Sequence, residues 1–463
     1  MAGIFQGLEL AKRALLSHQY ALTTAGHNIA NAGTPGYSRQ RVDLVATDPF
    51  QDAIAQYGTG VKIDNVRHIR DAFLTAQYRQ GSDQLGRWSQ LNTALQEVEN
   101  IFLEPSDTGF NAALTKFFDA WHTLAQNPES SASRAAVRDQ AEVVTSAFHQ
   151  MSARLDTLGR SLDKDIAGRV QYINGIASDL ARLNQEIARS EIGGSMANDL
   201  RDRRDYLIDE LSKNVNVTVL EERNGITRIF IGSMELVENS SYSPLTATTT
   251  GTGTQTRTSL LWQGTQVPIS FAGGELAGLL EARDELIPEY QQQLDTLAAT
   301  FVEQVNAVHS TGYALDGQSG YMFFDPTRRS ARDISLSIRI TESLNNIAAS
   351  QSGGPGDNSN AIAIANLQNS LVMTNNTTTF NEFFAQIVGT VGIRSAESGD
   401  AMTNADLVLQ QIEANRQSVQ GVSLDEEMAN LIKAQHAYDA AAKVVATLDS
   451  ALNTLINDMG VGR

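Results

Sequence analysis

Residues 4–29 read IFQGLELAKRALLSHQYALTTAGHNI, and apolar side chains recur along them in alternating steps of four and three residues. This spacing marks the a and d positions of a coiled coil, in which one narrow face of a helix packs against a partner. One polar side chain, His18, interrupts the pattern, and we assign it a packing or register role. The positions are Ile4, Leu8, Ala11, Leu15, His18, Leu22, Ala25 and Ile29.

The other end of the chain carries a second stripe of the same kind. It begins with Leu424, Met428 and Leu431 and shifts its phase around Tyr438, as happens where a supercoil is locally rewound. No segment between the two stripes offers a partner of this kind, so the sequence predicts that the two ends pair as a coiled coil. The later positions are Ala441, Val445, Leu448, Leu452, Leu455 and Met459.

The charges of the two ends are opposite. Residues 1–41 hold four cationic side chains against one carboxylate, and residues 421–463 hold three against six, so the balances are +3 and −3 with His neutral. Exposed ion pairs contribute only about 0 to 1 kcal/mol each, so the charges indicate orientation more than stability.

The stripes also predict how the ends behave outside an assembly. Each long apolar side chain that leaves water fully contributes roughly 1.5–3 kcal/mol, and a lone helix is marginal in water. We therefore expect the ends to be mobile in a free monomer and to order when neighbouring subunits cover them. The interaction residues we predict, for subunits or a chaperone, are Ile4, Leu8, Leu15, Leu22, Ile29, Leu424, Met428, Leu431, Val445, Leu448, Leu452, Leu455 and Met459.

Residues 28–40, directly after the first stripe, read NIANAGTPGYSRQ. Gly33 suits a helix cap, and Pro35-Gly36 suits the centre of a type II turn, because proline presets the first φ and glycine accepts the positive second one. As a string, this segment resembles the N-terminal signature of the flagellar rod, hook and hook-associated axial proteins. Further similarity to that family lies in Gly58 to Val61, Arg67, Phe73-Leu74 and Gln77 to Arg79.

Residues 421–428, GVSLDEEM, resemble the start of the terminal helix in the same family. Ser423 and Glu426 have the spacing of a capping box, in which each residue satisfies a free backbone N–H of the other. Asp425 to Glu427 place negative charge at a helix N-terminus, where the helix dipole favours it. This structural role accounts for the acidic triplet without a metal or a catalytic function.

Three interior segments resemble the FlgK family of hook-associated proteins, and the similarity covers nearly the whole chain. They are Asp199 to Val219, residues 273–280 (GGELAGLL) and residues 306–313 (NAVHSTGY). The resemblance implies a structural protein at the junction between the hook and the filament of the bacterial flagellum. It also implies a ring of about eleven subunits, contacts with hook protein and the second hook-associated protein, and a FlgN-type export chaperone at the C-terminal segment.

Hydrophobic periodicity predicts a mainly α fold with an inserted β-rich domain. Long helical stripes run through residues 85–102, 148–187 and 294–308. Alternation at Val215 to Val219, with Asn224-Gly225 as a hairpin signal, predicts strands from about residue 216. The predicted domains are a coiled-coil segment (1–45), a helical bundle (46–215), a β-rich outer domain (216–272), the bundle's second part (273–420, with short strands near 331–341 and a flexible loop at 350–360) and a coiled-coil helix (421–463).

Composition limits the possible partners and locations. The 463 residues carry a net charge of −18, which argues against nucleic acid or an anionic membrane as a partner. No apolar run reaches the length of a membrane span, and the N-terminus lacks the pattern of a cleaved signal peptide. The chain has no cysteine, so disulfides and cysteine-ligated metal are excluded. With the resemblance, this suggests export by the flagellar type III apparatus to an extracellular site on the flagellum.

The sequence offers little for an enzyme. None of the seven histidines has zinc-binding spacing, no G-x-S-x-G elbow occurs, and residues 251–256 lack the third glycine of a dinucleotide fingerprint. We therefore predict no catalytic, cofactor-binding or metal-binding residue. Three alternatives stay open: a hook protein or second hook-associated protein, an exported enzyme or adhesin with its activity in residues 216–272, and a cytoplasmic coiled-coil scaffold.

Overall fold

The computed structural model describes residues 2–51, 56–102, 109–222, 225–250 and 257–459. Most of them are helical, as the periodicity predicts. The first half of the chain holds α1 (Ala2–Asn31), α2 (Ala72–Phe102), α3 (Phe110–Gln126), α4 (Ser131–Ser190) and α5 (Asn198–Asn214). The second half holds α6 (Glu275–Glu281), α7 (Ile287–His309), α8 (Ile338–Glu342), α9 (Ser359–Asn366), α10 (Phe380–Gln420) and α11 (Leu424–Met459), with a π-helical turn at Ala282–Leu286 between α6 and α7.

The long helices pack around one apolar core, which we call the bundle. Phenylalanine rings from α3, α4, α7 and α10 meet there edge to face, and this geometry suits the charge distribution of aromatic rings. Local sequence fixes where the helices begin. Ser130 accepts a hydrogen bond from the Ser133 N–H at the start of α4, and Thr379 and Glu382 form a full capping box at the start of α10. The predicted helical stripes of residues 85–102, 148–187 and 294–308 are confirmed.

The β-rich insertion follows α5 and packs on α4. Strands β5 (Thr218–Glu221), β6 (Thr227–Ile231), β7 (Met234–Glu238) and β8 (Ser241–Tyr242) form an antiparallel sheet in chain order, and β9 (Leu245–Thr250) pairs with β10 (Arg257–Trp262). The predicted hairpin joins β5 to β6; Gly225 has a φ of 78°, and Asn224 lies outside the described residues. The Ser/Thr-rich tract at residues 240–258 has no apolar periodicity, yet it contributes strands β8 and β9, because threonine suits a pleated surface despite its polarity.

Residues 40–51 and 56–68 form two antiparallel strand pairs that the sequence did not predict, and we call them the hairpin arm. Strand β1 (Gln40–Ala46) pairs with β4 (Val61–His68), and the pair packs on α1. Beyond them, β2 (Phe50–Gln51) pairs with β3 (Gln56–Tyr57). The signal was weak because the apolar alternation is short: Val45 breaks it in β1, Asn65 breaks it in β4, and the pairing register shifts between Asp43 and Leu44.

A second difference concerns residues 334–340, which the alternation of isoleucine and leucine predicts as a strand. Only a single bridge between Phe324 and Leu336 is present, and α8 begins two residues later. The prediction of a strand is therefore wrong beyond Leu336. Ile338 is largely exposed, so the alternation there does not reflect burial on one side of a sheet.

Helices α1 and α11 pack against each other in antiparallel orientation. A Cβ placed on Gly7, near the start of α1, would lie 3.3 Å from a methyl group of Leu448, late in α11. At the other end, Asn28 bonds Glu427, at the start of α11. The predicted pairing of the two ends is present in the fold, while its coiled-coil geometry stays a prediction.

Candidate assembly site

The facing surfaces of α1 and α11, which we call the seam, combine small buried residues with large half-buried ones. Ala11, Ala25, Ala434 and Ala441 are buried, so the two helix backbones can approach closely. The larger seam residues are only partly covered. The structure does not describe the side chains of three of them, Ile4, Leu455 and Met459. The partly covered ones are Leu8, Leu15, Leu22, Ile29, Leu431, Val445, Leu448 and Leu452.

The seam of α11 follows a different register from the predicted one. Buried or partly buried residues recur along α11 in steps of four and three, from Glu427 through Leu431 to Leu452. This register continues through Tyr438, so the predicted phase shift there is wrong. Glu427 takes the position that we expected an apolar residue to hold. Met428, one residue later, points away from α1 and is 49% exposed, and Leu424 is 53% exposed where the helix begins.

Glu427 is buried because a set of polar partners surrounds it, and we call this set the terminal polar cluster: Asn28, Tyr37, Arg39, Gln40, Glu426 and Glu427. The Glu427 carboxylate accepts one hydrogen bond from Asn28 Nδ2 at 2.9 Å and one from Arg39 Nε at 2.8 Å. A second nitrogen of Arg39 donates to Glu426 at 2.8 Å. A buried carboxylate is tolerated only when it is paired and hydrogen-bonded in this way.

Asn28 lies at the centre of the cluster, because its side-chain amide both donates and accepts hydrogen bonds. Its Oδ1 accepts from the Tyr37 hydroxyl at 2.7 Å and from the Gln40 N–H at 2.9 Å, while its Nδ2 also donates to the Gln40 carbonyl at 2.9 Å. Burial, together with the nearby carboxylates of Asp199, Asp202 and Glu427, raises the pKa of the Tyr37 phenol far above its ordinary value. Tyr37 therefore keeps its proton and remains a donor.

The loop that follows α1 attaches the helix pair to the bundle. Gly36 adopts a φ of 78°, and the Tyr37 N–H donates to the Thr34 carbonyl at 3.2 Å, as the predicted type II turn requires. Gly36 also lies so close to α5 that an added Cβ would sit 2.7 Å from the Cβ of Tyr206. Gly33, predicted as the helix cap, lies outside the left-handed region and has open space around it.

Carboxylates of α5 complete this attachment. Asp202 accepts a hydrogen bond from the Ser38 N–H at 3.0 Å, and its other oxygen lies 2.7 Å from His68 Nδ1 at the end of β4. Gln40 donates to Asp199 at 2.7 Å. The family-like segments at residues 28–40, 67–79 and 199–219, which are far apart in the chain, therefore meet at one place.

A neighbouring cluster of arginines and aspartates joins three bundle helices next to this attachment. Asp209 of α5 accepts from Arg79 of α2 at 2.8 Å and from Arg416 of α10 at 2.6 Å. Arg70 pairs with Asp205, and the Arg416 guanidinium lies 3.9 Å from the centre of the Tyr78 ring. Burial lowers the pKa of Arg70. The end of α10, from which the chain leads into α11, is thereby fixed to the bundle.

The predicted capping box at the start of α11 forms only in part. The Glu426 N–H lies 3.5 Å from Ser423 Oγ, at the limit of a hydrogen bond, and the Glu426 side chain pairs with Arg39 instead. The sequence could not show that preference, because Arg39 and Glu426 are 387 residues apart. His18, predicted to have a packing role, is half-buried and lines a cavity of about 420 Å³ beside Lys433 and Ala434.

The helix pair leaves a second set of large apolar side chains in water, away from the seam. We call this set the outer stripe. On α1 these apolar residues lie on the exposed face that also carries Glu9 and Lys12. On α11 they occur at every fourth residue in the first turns of the helix. Its members are Phe5, Leu16, Tyr20, Leu424, Met428 and Ile432.

Two further features of the described residues concern metal ions and membranes. No group of three or more histidine, aspartate or glutamate side chains is arranged there to hold a metal ion. Likewise, none of the helices within the described ranges combines the length and the apolar character that crossing a membrane requires.

Comparisons with known proteins agree with this geometry. Residues 95–324 match the model of the flagellar hook-associated protein FlgK helical domain, and residues 413–458 match that of the flagellar basal body rod FlgEFG protein C-terminal. The second match covers the end of α10 and nearly all of α11, so the bundle and the C-terminal helix match separate family models.

Whole-chain relatives carry one common name. Flagellar hook-associated protein 1 of Bacillus subtilis (strain 168) is 33% identical over 505 aligned positions, which cover 100% of both chains. Its namesake from Salmonella typhimurium is 26% identical and covers 96% of this chain and 98% of its own. The solved structure of the flagellar hook junction protein FlgK from Burkholderia pseudomallei shares the fold, with a TM-score of 0.67 over 74% of this chain and 100% of that chain at 17% identity. The chain therefore belongs to the flagellar hook-associated protein 1 family of structural flagellar proteins.

Proposed function

We propose that this chain forms the junction between the hook and the filament, and that copies assemble through the outer stripe of the helix pair. One observation carries the assembly part: the seam is occupied within the chain, while the six large apolar side chains of the outer stripe remain exposed. Fully burying such a side chain contributes roughly 1.5–3 kcal/mol, so half-exposed ones leave a substantial stabilisation for a neighbouring copy to supply.

The role is mechanical. The terminal polar cluster and the attachment to α5 hold the helix pair on the bundle, so a force on the pair is transmitted to the bundle through hydrogen bonds and ion pairs. In this arrangement the helix pair lines the inner tube of the assembly, the bundle forms the next layer and the β-rich domain faces outward. The boundaries proposed for these units are those predicted from the sequence, except that the one at residue 45 falls inside β1, so the hairpin arm is grouped with the helix pair on which it packs.

The family supports a set of partners. We propose a ring of about eleven copies, hook protein on one side and the second hook-associated protein on the other. Before export by the flagellar type III apparatus, without a cleaved signal, a FlgN-type chaperone would cover the C-terminal segment. Exposed apolar side chains on α11 favour this last point, because an uncovered apolar patch promotes aggregation.

The test changes the outer stripe without touching the seam. In Met428→Ser/Ile432→Ser, we expect a chain that folds and is exported but is at least tenfold depleted from isolated hooks, because its contact with the next copy has lost its apolar anchors. Immunoblots of isolated hooks and of the culture medium measure both fractions. Ile362→Ser/Leu371→Ser, which changes exposed apolar residues of the bundle instead, is the matched control. Normal retention of the Met428/Ile432 variant on hooks would contradict the proposal.

A further inference from the structure

The tip of the hairpin arm presents two aromatic side chains to water. Strands β2 and β3 contribute two residues each, and Phe50 lies directly opposite Tyr57 in their register. All four residues of this arm tip, Phe50, Gln51, Gln56 and Tyr57, are exposed, and the two aromatic side chains are 50% and 51% exposed.

The aromatic pair contributes little to the fold of the chain that carries it. A two-stranded hairpin is marginal in water, and strands as short as β2 and β3 gain stability only from a surface packed against them. Large aromatic side chains contribute most when they are buried, and they are enriched at the centres of protein interfaces. Half-exposed side chains at this position therefore indicate a surface that is completed by a partner.

The base of the arm is firm enough to present the tip in one place. The Thr47 N–H donates to the Gly60 carbonyl at 3.0 Å, the Thr47 and Thr59 hydroxyls lie 2.6 Å apart, and Thr59 also donates to the Asp48 carbonyl at 2.6 Å. These bonds connect the strands where the β1–β4 ladder ends and the tip begins. The tip is thus held by a cross-linked base and not by an open loop.

The arm also lies next to the surface through which we propose that copies assemble. Gly60 packs against Leu10 in the first third of α1, where an added Cβ would lie 3.3 Å from Leu10 Cγ. Gln51 is four residues beyond Thr47, so the tip lies at most about 14 Å from this contact. Along α1, Phe5 is about 8 Å from Leu10, so the start of the outer stripe is within reach of the tip.

We propose that the Phe50–Tyr57 pair binds the terminal helix pair of a second copy of this chain. The inference rests on the proposed function and deepens it, since it assigns a residue pair outside the terminal helices to the same interface. A second copy fits because its own outer stripe offers large aliphatic and aromatic side chains, and because the tip lies close to the start of that stripe in the copy that carries it.

The first experiment tests incorporation. In Phe50→Ser/Tyr57→Ser we expect an unchanged thermal melt and normal export, with at least fivefold less of the chain in isolated hooks. Tyr172→Ser is the matched control, because Tyr172 is a 47% exposed aromatic side chain on α4, away from the arm. Incorporation of the double variant at the level of the control would overturn the proposal.

The second experiment identifies the contact. Tyr57 is replaced by the photo-reactive amino acid p-benzoylphenylalanine, and isolated flagella are irradiated. We expect a product of twice the 50.1 kDa chain mass, with mass spectrometry locating the cross-link in residues 2–31 or 424–459. Cross-links confined to one copy, or made to a different protein, would overturn the proposal.

The two proposals fail in distinguishable ways. Loss of incorporation in Met428→Ser/Ile432→Ser, together with normal incorporation of Phe50→Ser/Tyr57→Ser, refutes the role of the arm alone. Normal incorporation of both variants refutes the assembly surface itself.

Discussion

Gly36 and Gly33 lie three residues apart in the same loop, yet only one of them needs to be glycine. Gly36 combines a left-handed φ of 78° with the close approach to Tyr206, while Gly33 has neither constraint. For any other residue the left-handed conformation costs about 1–2 kcal/mol. The loop between α1 and the hairpin arm thus depends on a single backbone position.

For Gly36→Ala we therefore expect a loss of at least about 1–2 kcal/mol of local stability, because the strain of the turn adds to the displacement of Tyr206. Hydrogen exchange of residues 28–40 in chains assembled into isolated hooks, where neighbouring copies order the ends, measures it. Gly33→Ala, the control, should exchange like the original chain. Equal effects of the two substitutions would show that the close approach of Gly36 to α5 is not needed.

His309 provides a pH-dependent contribution to stability. Its Nδ1 donates to the Tyr321 carbonyl at 2.7 Å, and its Nε2 accepts from the Ala348 N–H at 2.9 Å, so the neutral ring connects two loop segments to α7. Complete burial lowers the pKa of His309 to about 4. In the unfolded chain the histidine has a pKa of about 6.5, so below that pH the unfolded chain takes up a proton that the folded chain does not. The contribution of His309 to stability is therefore fully present above pH 6.5 and falls as the pH is lowered toward 4.

From these values we expect His309 alone to lower the free energy of unfolding by about 2 kcal/mol between pH 7.5 and pH 5. Urea denaturation at the two pH values measures it. His309→Gln should be less stable at pH 7.5 and show a smaller loss at pH 5, whereas His122→Gln, at an exposed position, should keep the original dependence. An unchanged loss in His309→Gln would assign the pH dependence to other groups.

In the helix pair, the apolar residues of α1 and α11 form two different surfaces, the seam and the outer stripe, which the sequence pattern does not distinguish. Leu448 lies in the seam against Gly7, whereas Met428 belongs to the outer stripe. Changes in the seam therefore act within one copy, and changes in the outer stripe act between copies. The predicted list of interaction residues contains both kinds, because a heptad pattern identifies an apolar face but not the partner that covers it.

We expect Leu448→Asp/Leu452→Asp to abolish chaperone binding and assembly, because each substitution places a charge on the apolar face of α11 that the chaperone would cover before export and that α1 covers in the folded chain. The bundle should stay folded, since α11 contributes little to its core, and the thermal melt should change little. Titration calorimetry with the FlgN-type chaperone measures the first effect. Unchanged chaperone affinity would refute it.

Elements with strong periodicity could be predicted from the sequence, and elements that depend on distant partners could not. The stripes of α2, α4 and α7 repeat over many turns, and Asn224-Gly225 marks a tight turn between strands. The hairpin arm escaped prediction because its apolar face is completed by α1. Glu427 escaped for a related reason: a carboxylate in a seam makes sense only beside Asn28 and Arg39, which lie nearly the whole length of the chain away.

At the scale of the whole molecule, the bundle and the helix pair differ in how well they are covered. The bundle core buries aromatic side chains completely, whereas the larger residues of the seam stay partly in water. A region with few buried apolar contacts opens at a lower free energy than a well-packed core. The chain thus combines a stable body with a pair of ends that depends on neighbours.

Hydrogen exchange on the purified monomer tests this contrast. We expect near-complete exchange in residues 1–40 and 421–463 and strong protection between Phe148 and Ile187, because the monomer lacks the copies that would cover the outer stripe. Protected ends in the free monomer would contradict an assembly-coupled pair and favour the alternative of a self-sufficient coiled-coil scaffold.

The antiparallel contact between α1 and α11 has a consequence for the order in which the chain can fold. Because a ribosome synthesises a chain from its N-terminus, α1 is made long before α11. The hydrogen bond from Asn28 to Glu427 closes a loop of 399 residues. Contacts of such long sequence separation form late, since the entropy of closing the loop is lost before any contact compensates it. Pairing of the ends is therefore the last step of folding, and a chain that lacks α11 can complete its bundle but leaves the first helix without its partner.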